Sequence, residues 1–513
     1  MSPTASSPPW GRHACDSPPG SDGDDDMARR PISAVIADRA RLRPDDIVVR
    51  ERSGTATAAE LDTRATRVAR LLIRHGVRRD DRVMISLPNG IGFVVACIAI
   101  WRVGATPMPL DSGLADDERA TIERLAQPVA AFGRVPIHSG IVHVSETQAH
   151  SMSTARLADR WSHCWKAPTS SGSTGAPKVI ASSAPALVDP DAPVAPFVPH
   201  RATQLVTSPM WHSTAFTYAF RGLTAGHRLV IEPAFEPTAF LDCVERHRVS
   251  WAVLSPPSIR QLLRLPSAER DRRDLTTVDS ILHLGGRCPE PDKRALIEWL
   301  GADRVVEVYA GSESNGLTMI RGDDWLDHPG SVGRPIGGTE IRIRSDDGAV
   351  VGPGTPGTIW MRRGDQRSYR YVGAASRRTS DGWDTLGDIG YLDHNGYLTV
   401  LDREADTIDR DGTTLYPADI EQVFESHPLV RGAVAVGEAA HDTTSLTVLA
   451  DIADSTLTVD DLAHFAALRL DRAARPDRIC LTRRPIRNDA GKIRRRAVAG
   501  CGRRIVRTNG VPA

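Results

Sequence analysis

Two of the four lysines in this chain stand inside glycine-bearing loops, and that placement is its first chemical signal. Of 64 Lys+Arg residues only Lys166, Lys178, Lys293 and Lys492 are lysine. Arginine replaces lysine wherever a positive charge suffices, but not where a compact ammonium on a flexible stem must reach one particular atom. Lys178 closes TSSGSTGAPK (169–178), and Lys492 sits in NDAGKIRR (488–495). The first loop interleaves the hydroxyls of Thr169, Ser170, Ser171, Ser173 and Thr174 with Gly172 and Gly175. Such a loop can wrap an oxygen-rich anion with backbone N–H groups and hydroxyls. It is not the nucleotide loop G-x-x-x-x-G-K-[ST], because Lys178 follows Pro177 and precedes Val179. A flexible Ser/Gly linker is the competing reading of this segment taken alone. Lys166 and Lys293 belong to no motif and are expected to face solvent.

The rest of the chain must position these loops. At 513 residues it exceeds one core and implies about three units at ~150 residues each, or one large domain with a smaller one. The 64 basic residues balance 64 acidic ones, which argues against nucleic acid or a membrane surface as partner and favours small ligands. Seven scattered cysteines with no C-x-x-C pair predict a reduced, cytoplasmic protein with neither disulfide nor structural metal. The longest apolar run, IGFVVACIAIW (91–101), has about half the ~20 residues a membrane span needs and reads as a buried helix. Residues 1–26, rich in Pro, Ser, Gly and Asp, lack the features of an export signal and predict disorder; Met27 is an alternative start.

From Ile32 to Asp111 helix-like and strand-like stretches alternate: a helix through 61–76, a strand at 82–87, the buried helix, then an apolar run at 105–110. The rhythm returns in short β-rich runs at 202–210, 228–233, 250–257, 280–286 and 305–311. This predicts an α/β fold whose ligand lies beyond the carboxyl ends of parallel strands. After Gly330, Gly-punctuated strands predict a small β-rich subdomain as far as about Leu401, and the last hundred residues predict a separate α+β domain with a helix over 461–471.

The loop at 169–178 resembles the phosphate loop of the adenylate-forming superfamily, which includes acyl-CoA synthetases, luciferases and peptide-synthetase adenylation domains. VYAGSES (308–314) resembles its Y-G-x-T-E element, TLGDIGYLDHNGYLTVLDREADTI (385–408) its ribose-binding and hinge segment, and TLYPADIE (414–421) the element after the hinge. NDAGKIRR resembles its catalytic-lysine loop, and residues 76–110 are similar as well. The matches run in family order over roughly residues 30 to 500.

The resemblance implies a large N-terminal domain of parallel sheets flanked by helices plus the β-rich subdomain, and a smaller mobile C-terminal α+β domain. The expected boundaries are a leader at 1–29, an N-terminal domain at 30–401, a C-terminal domain at 402–500 and a tail at 501–513. It also implies ATP, Mg²⁺ and CoA as cofactors. Glu313 would hold Mg²⁺ between phosphate oxygens, Tyr309 would stack on adenine, and Ser312, in the usual threonine position, would bond the α-phosphate or the acyl oxygen. Asp388 would accept from the two ribose hydroxyls with Arg403 beside it. Lys492 would bridge carboxylate and α-phosphate as the pentacoordinate state forms, with Lys178 on the pyrophosphate side. His212 matches the histidine that lines the acyl pocket and gates the second substrate.

Amino-acid-activating relatives place an aspartate after that histidine; here Ser213 stands there, so an α-ammonium would be buried without a partner. Phe216, Ala219 and Phe220 suggest an apolar acid, and the segment 283–313 looks most like the subgroup acting on bile, steroid-side-chain or fatty acids. Ala310 and Leu386 depart from the family without removing a charge. Arg410, Asp411 and Gly412 stand where relatives read S-G-G, and are expected to crowd the pantetheine tunnel. The implied activity is acyl-CoA synthesis from an apolar or aromatic carboxylic acid, with no membrane span and no nucleic acid. Transfer to a carrier protein or an amine is the alternative, and a non-catalytic nucleotide- or acyl-binding protein is a further one.

Overall fold

The apolar run at 91–101 is the helix Ile91–Arg102, buried along nearly its whole length. Its closing arginine is buried too, because its guanidinium finds Asp62 Oδ1 at 2.6 Å and the Asp62 carbonyl at 3.0 Å. In this computed structural model residues 28–169, 177–440, 443–487 and 495 are described. Most of the expected leader and all of the expected tail lie outside them, as do Ser170, Ser171, Gly172, Ser173, Thr174, Gly175 and Lys492. Asp62 belongs to the helix Ala58–Arg74, which corresponds to the stretch expected at 61–76 and starts at a reciprocal cap. Thr57 Oγ1 accepts from Glu60 N at 3.2 Å and Glu60 Oε2 accepts from Thr57 N at 2.8 Å, satisfying two N–H groups that the first turn leaves open.

The five β-rich runs form Thr203–Val206, Arg228–Ile231, Trp251–Leu254, Ser280–His283 and Val305–Ala310, all parallel. They are the heart of a nine-stranded sheet that Ile47–Glu51 and Gly54–Thr57 extend on one side. Leu317–Arg321 and Arg334–Pro335 close the other side with antiparallel pairs. Thr203–Val206 lies between Arg228–Ile231 and Trp251–Leu254, so the strand order reverses at its edge. A second, wholly parallel sheet orders Thr106–Pro109, Arg82–Ile85, Ala130–Phe132 and Val142–Val144. Both faces of parallel strands are covered by helices, which is why these runs read as nearly continuous apolar stretches.

The β-rich region after Gly330 is a four-stranded antiparallel sheet of Thr339–Arg344, Gly357–Arg363, Asp388–Leu392 and Leu398–Arg403. Beyond it, Val430–Ala440, Thr443–Ile452 and Arg478–Thr482 form a three-stranded sheet, covered by the helix Pro417–Glu425 around a core of its own. The helix expected at 461–471 is Val459–Ala467, capped by Thr458 and Asp461. The architecture is therefore the expected α/β fold with a large N-terminal and a small C-terminal part. Among the described residues no helix is long and apolar enough to cross a membrane.

Candidate active site

An open cavity of about 1280 Å³ lies beyond the carboxyl ends of the parallel strands, where the strand order reverses. Trp211 and His212 enter it after Thr203–Val206, Ser255 and Pro256 after Trp251–Leu254, and Ser312 and Glu313 after Val305–Ala310. Short strands that end together deliver residues far apart in sequence to one place.

At one end the Tyr309 hydroxyl donates to Asp388 Oδ2 at 2.7 Å, and Arg403 Nε stands 3.5 Å from Asp388 Oδ1. Asp388 and Arg403 are direct partners in the antiparallel sheet, so their approach follows from register. Burial and the neighbouring Asp388 carboxylate push the Tyr309 hydroxyl well above its ordinary range, which keeps it protonated and donating. Leu386 lies against Gly311, where a Cβ would meet it at 2.6 Å, so the leucine fills space that the glycine opens.

Glu313 is buried, and its Oε1 accepts from the Tyr371 hydroxyl at 2.7 Å. Lys178 Nζ is 4.0 Å from the same oxygen and 3.6 Å from the centre of the Tyr371 ring. The three meet because Tyr369–Val372 pairs antiparallel with Val179–Ser182, which begins directly after Lys178. Thr169 bridges to Val179, closing the base of the loop. Ser314, next to Glu313, holds φ at +54°, a left-handed conformation uncommon for a residue with a side chain. One carboxylate with one oxygen engaged suits a magnesium ion shared with substrate phosphates, which takes one or two protein carboxylates, rather than an all-protein cage. Among the described residues there is no cluster of three or more His, Cys, Asp or Glu that could make such a cage.

His212 caps the helix Ser213–Thr224, its Nδ1 accepting from Thr214 N at 3.4 Å. That helix has two faces, and the expectation about its apolar residues is corrected here. Phe216, Ala219 and Phe220 point into the core, with Trp101 ring centres 5.9 and 4.8 Å from those of Phe216 and Phe220. The cavity instead receives Ser213, Thr214, Thr217, Tyr218 and Arg221, and its apolar wall comes from Val194, Phe197 and Trp211. The 3.6-residue period separates the two sets.

Lys166 and Lys293 were expected in solvent, and both are buried, at 3% and 1% exposure. Lys293 pairs with Glu307, and each charge compensates the other. Lys166 Nζ donates to Ser213 Oγ and Thr217 Oγ1, each at 2.7 Å, and lines the cavity.

The structure thus gathers Thr169, Lys178, His212, Tyr309, Ser312, Glu313, Asp388 and Arg403 around one cavity. It adds Tyr371, Lys166, Arg221 and Arg495, which motif reading missed. The alternation of Tyr369 and Tyr371 in a short strand was the available signal for Tyr371, and the arginine run after Lys492 was the signal for Arg495. Arg495 is 3.2 Å from Asp406 through Nε, donates to the Ala435 carbonyl at 2.9 Å and pairs with Glu421.

Residues 36–367 match the AMP-binding enzyme family. The chain is similar to 2-succinylbenzoate–CoA ligase of Bacillus cereus, 26% identical over 489 residues, covering 90% of this chain and 96% of the relative. It is likewise similar to long-chain-fatty-acid–CoA ligase FadD13 of Mycobacterium tuberculosis, 27% identical over 477 residues, covering 85% and 91%. Among solved structures, o-succinylbenzoate CoA synthetase of Bacillus subtilis in complex with its acyl-adenylate intermediate superposes with a TM-score of 0.79 at 22% identity, covering 94% of this chain and all of that one. That likeness concerns the fold. With the family match spanning well over half of its length, the chain belongs to the AMP-binding enzyme family.

Proposed function

We propose that this protein is an AMP-forming acid–CoA ligase acting on a carboxylic acid with an apolar or aromatic body. The observation that carries the reading is the convergence of Tyr309–Asp388, Glu313–Tyr371–Lys178 and the His212 helix on one cavity. A substrate carboxylate oxygen attacks the α-phosphorus of ATP, forming one P–O bond and releasing pyrophosphate. The thiol sulfur of CoA then attacks the acyl carbon, the bond from that carbon to the phosphate oxygen breaks to release AMP, and the thiol proton passes to solvent.

In this reading Asp388 and Arg403 hold the ribose, the Tyr309 ring lies on adenine, and Thr169 with the loop after it and Lys178 hold the outer phosphates. Glu313 would hold magnesium, which supplies neutralisation of phosphate charge. Ser312 bonds the α-phosphate or acyl oxygen, His212 gates the acyl pocket, and Lys492 follows the charge that develops during attack. Preorganised charge and positioning provide most of the acceleration in such chemistry. The two bodies meet near Asp402, with the large domain at 30–401 and the small one at 402–500. The relatives' names span an aromatic dicarboxylic acid and long-chain fatty acids, so they leave the acid open.

The decisive measurement is acid-dependent exchange of pyrophosphate into ATP across a panel of acids, followed by competition of CoA, a carrier protein and simple amines for the preformed adenylate. Absence of exchange with every acid would remove the activity, and transfer to a carrier or an amine in preference to CoA would change the acceptor.

A further inference from the structure

The face of Ser213–Thr224 that borders the cavity carries more positive charge than nucleotide activation uses. Lys166, 3% exposed, spends two of its three N–H groups on Ser213 and Thr217 and has one left. Arg221 follows on the same helix face, and both cations lie against one indole: Lys166 Nζ is 5.1 Å and Arg221 Cζ 5.2 Å from the Trp165 ring centre. Among the described residues no carboxylate forms an ion pair with either. Glu313 and Cys164 act on Lys166 only through space, and Arg29 and Arg363 repel the Arg221 charge with Tyr218 opposing them. A buried lysine and a half-buried arginine that share no ion pair among the described residues are costly when both are charged, and a chain that uses arginine almost everywhere else has kept a lysine here.

The reacting carboxylate is not the missing partner of both. It belongs beside Ser312 and Glu313, whereas Arg221 lies nine positions beyond His212, or about 13 Å along a helix. The wall of the cavity offers Val194, Phe197 and Trp211, suited to an apolar body. Ser213, where amino-acid-activating relatives carry an aspartate, already receives the lysine's ammonium, so a cationic substrate group is opposed twice over.

We propose that the acid activated here carries a second carboxylate at the far end of its acyl body, bound in the cavity by Lys166 and Arg221. The proposal rests on the acid-activating reading above and narrows it to dicarboxylic acids. Lys166 and Arg221 are specificity-determining residues, and Ser213 and Thr217 position the lysine.

The test is pyrophosphate exchange with matched pairs of acids, decanoate against sebacate and 4-phenylbutanoate against 4-(4-carboxyphenyl)butanoate, in the parent protein and in Lys166→Met and Arg221→Met. Removing one partner of a desolvated charge pair is costly, so the parent is expected to favour the diacid in at least one pair by about 100-fold in kcat/KM. Each variant should lower that preference by about tenfold or more, chiefly through KM. Replacing a buried unpaired charge by methionine does not threaten the fold, and thermal melting checks this. Equal or better use of the monoacid in both pairs, or variants that lower both members of a pair alike, overturns the proposal. If no acid supports exchange, it is the activating reading that fails. Calorimetric binding of sebacate against decanoate then decides the anion site alone: a diacid preference lost in Lys166→Met sustains it, and no preference overturns it.

Discussion

The Tyr309 hydroxyl and Asp388 Oδ2, 2.7 Å apart, join the nine-stranded sheet to the antiparallel sheet at the nucleotide end of the cavity. Tyr309 is the penultimate residue of Val305–Ala310, and Asp388 opens Asp388–Leu392. Tyr309→Phe would leave a buried carboxylate short of one donor, at a cost of about 1–3 kcal/mol. We predict a severalfold weaker ATP affinity for that variant and a larger loss for Asp388→Ala, read by equilibrium titration. An Asp388→Ala protein that binds ATP like its parent would show that the sugar is recognised elsewhere.

Lys492 lies outside the described residues, but Arg495, three positions on, is fixed among Glu421, Asp406 and the Ala435 carbonyl. Lys492→Ala is expected to slow adenylate formation by about 10²–10³ while ATP still binds, because the lysine answers charge that develops only during attack. Pyrophosphate exchange at the parental rate would remove Lys492 from the mechanism. Arg495→Ala has a different signature. It takes the paired cation from the buried Glu421, which keeps only its hydrogen bond from Ala435 N among the described contacts, so a loss of about 3 kcal/mol in denaturant-induced unfolding of the small domain should accompany any loss of rate.

The strands of the central sheet were legible as short apolar runs because parallel strands bury both faces, and the ligand end followed from the rule that sites lie beyond their carboxyl ends. Asp388 and Arg403 could be paired from their motif, and strand register brings them together. What the sequence hid was direction and distance. Phe216 and Thr217 are neighbours in the chain yet face core and cavity respectively, and an apolar residue beside a motif histidine cannot announce which way it points. Lys166 was hidden for a related reason: its partners, Ser213 and Thr217, are 47 and 51 residues away. Tyr371 reaches Glu313 only through the pairing of Tyr369–Val372 with Val179–Ser182, a contact between segments nearly two hundred positions apart.

Arg410, expected beside the incoming thiol, is bound within the small domain. Its guanidinium donates to the Ala473 carbonyl at 3.1 Å, the Arg475 carbonyl at 2.8 Å and Asp477 Oδ1 at 2.6 Å. Asp411 and Gly412, with φ of +54° and +78°, are the two-residue turn of the hairpin Ile408–Arg410 and Thr413–Leu415, the Asp-Gly pattern such turns prefer. Arg410→Ala is therefore expected to cost about 1–3 kcal/mol of stability, and Asp411→Gly almost none. A raised KM for CoA in Arg410→Ala at an unaltered melting temperature would instead return the guanidinium to the thiol entrance.

Asp402 lies in Leu398–Arg403, the last strand of the four-stranded antiparallel sheet, and reaches the first turn of Pro417–Glu425. Its Oδ2 accepts from Ala418 N at 2.7 Å and its Oδ1 from Arg403 N at 2.8 Å. Burial raises this carboxyl above its ordinary value, with those two N–H groups opposing the shift. If the small domain rotates here between half-reactions, Asp402→Pro, which restricts φ and removes an N–H, should impair one half-reaction far more than the other. Single-turnover adenylation and single-turnover transfer from isolated adenylate separate the two. Equal losses would count against rotation at this residue.

Lys166 carries a pH signature of its own. Burial first, then the Arg221 charge, lowers its ammonium from 10.5 to about 7 in the folded protein, with Glu313 and Cys164 opposing. Between those values the unfolded chain holds a proton that the folded chain has released, so stability rises with pH across the window. The cost is full below about 7 and gone above 10.5. Lys166→Met should therefore melt above the parent at pH 6, by a margin that shrinks toward pH 10. A dicarboxylate bound against the ammonium supplies the missing counter-charge and raises its pKa, so binding near pH 8 should take up protons. Calorimetry in buffers of different ionisation enthalpy measures that uptake, and Lys166→Met should abolish it. A melting difference independent of pH would show that the Lys166 ammonium keeps its proton throughout, and a melting difference that does vary with pH but comes with proton-neutral binding would show that Lys166 does not serve as an anion site.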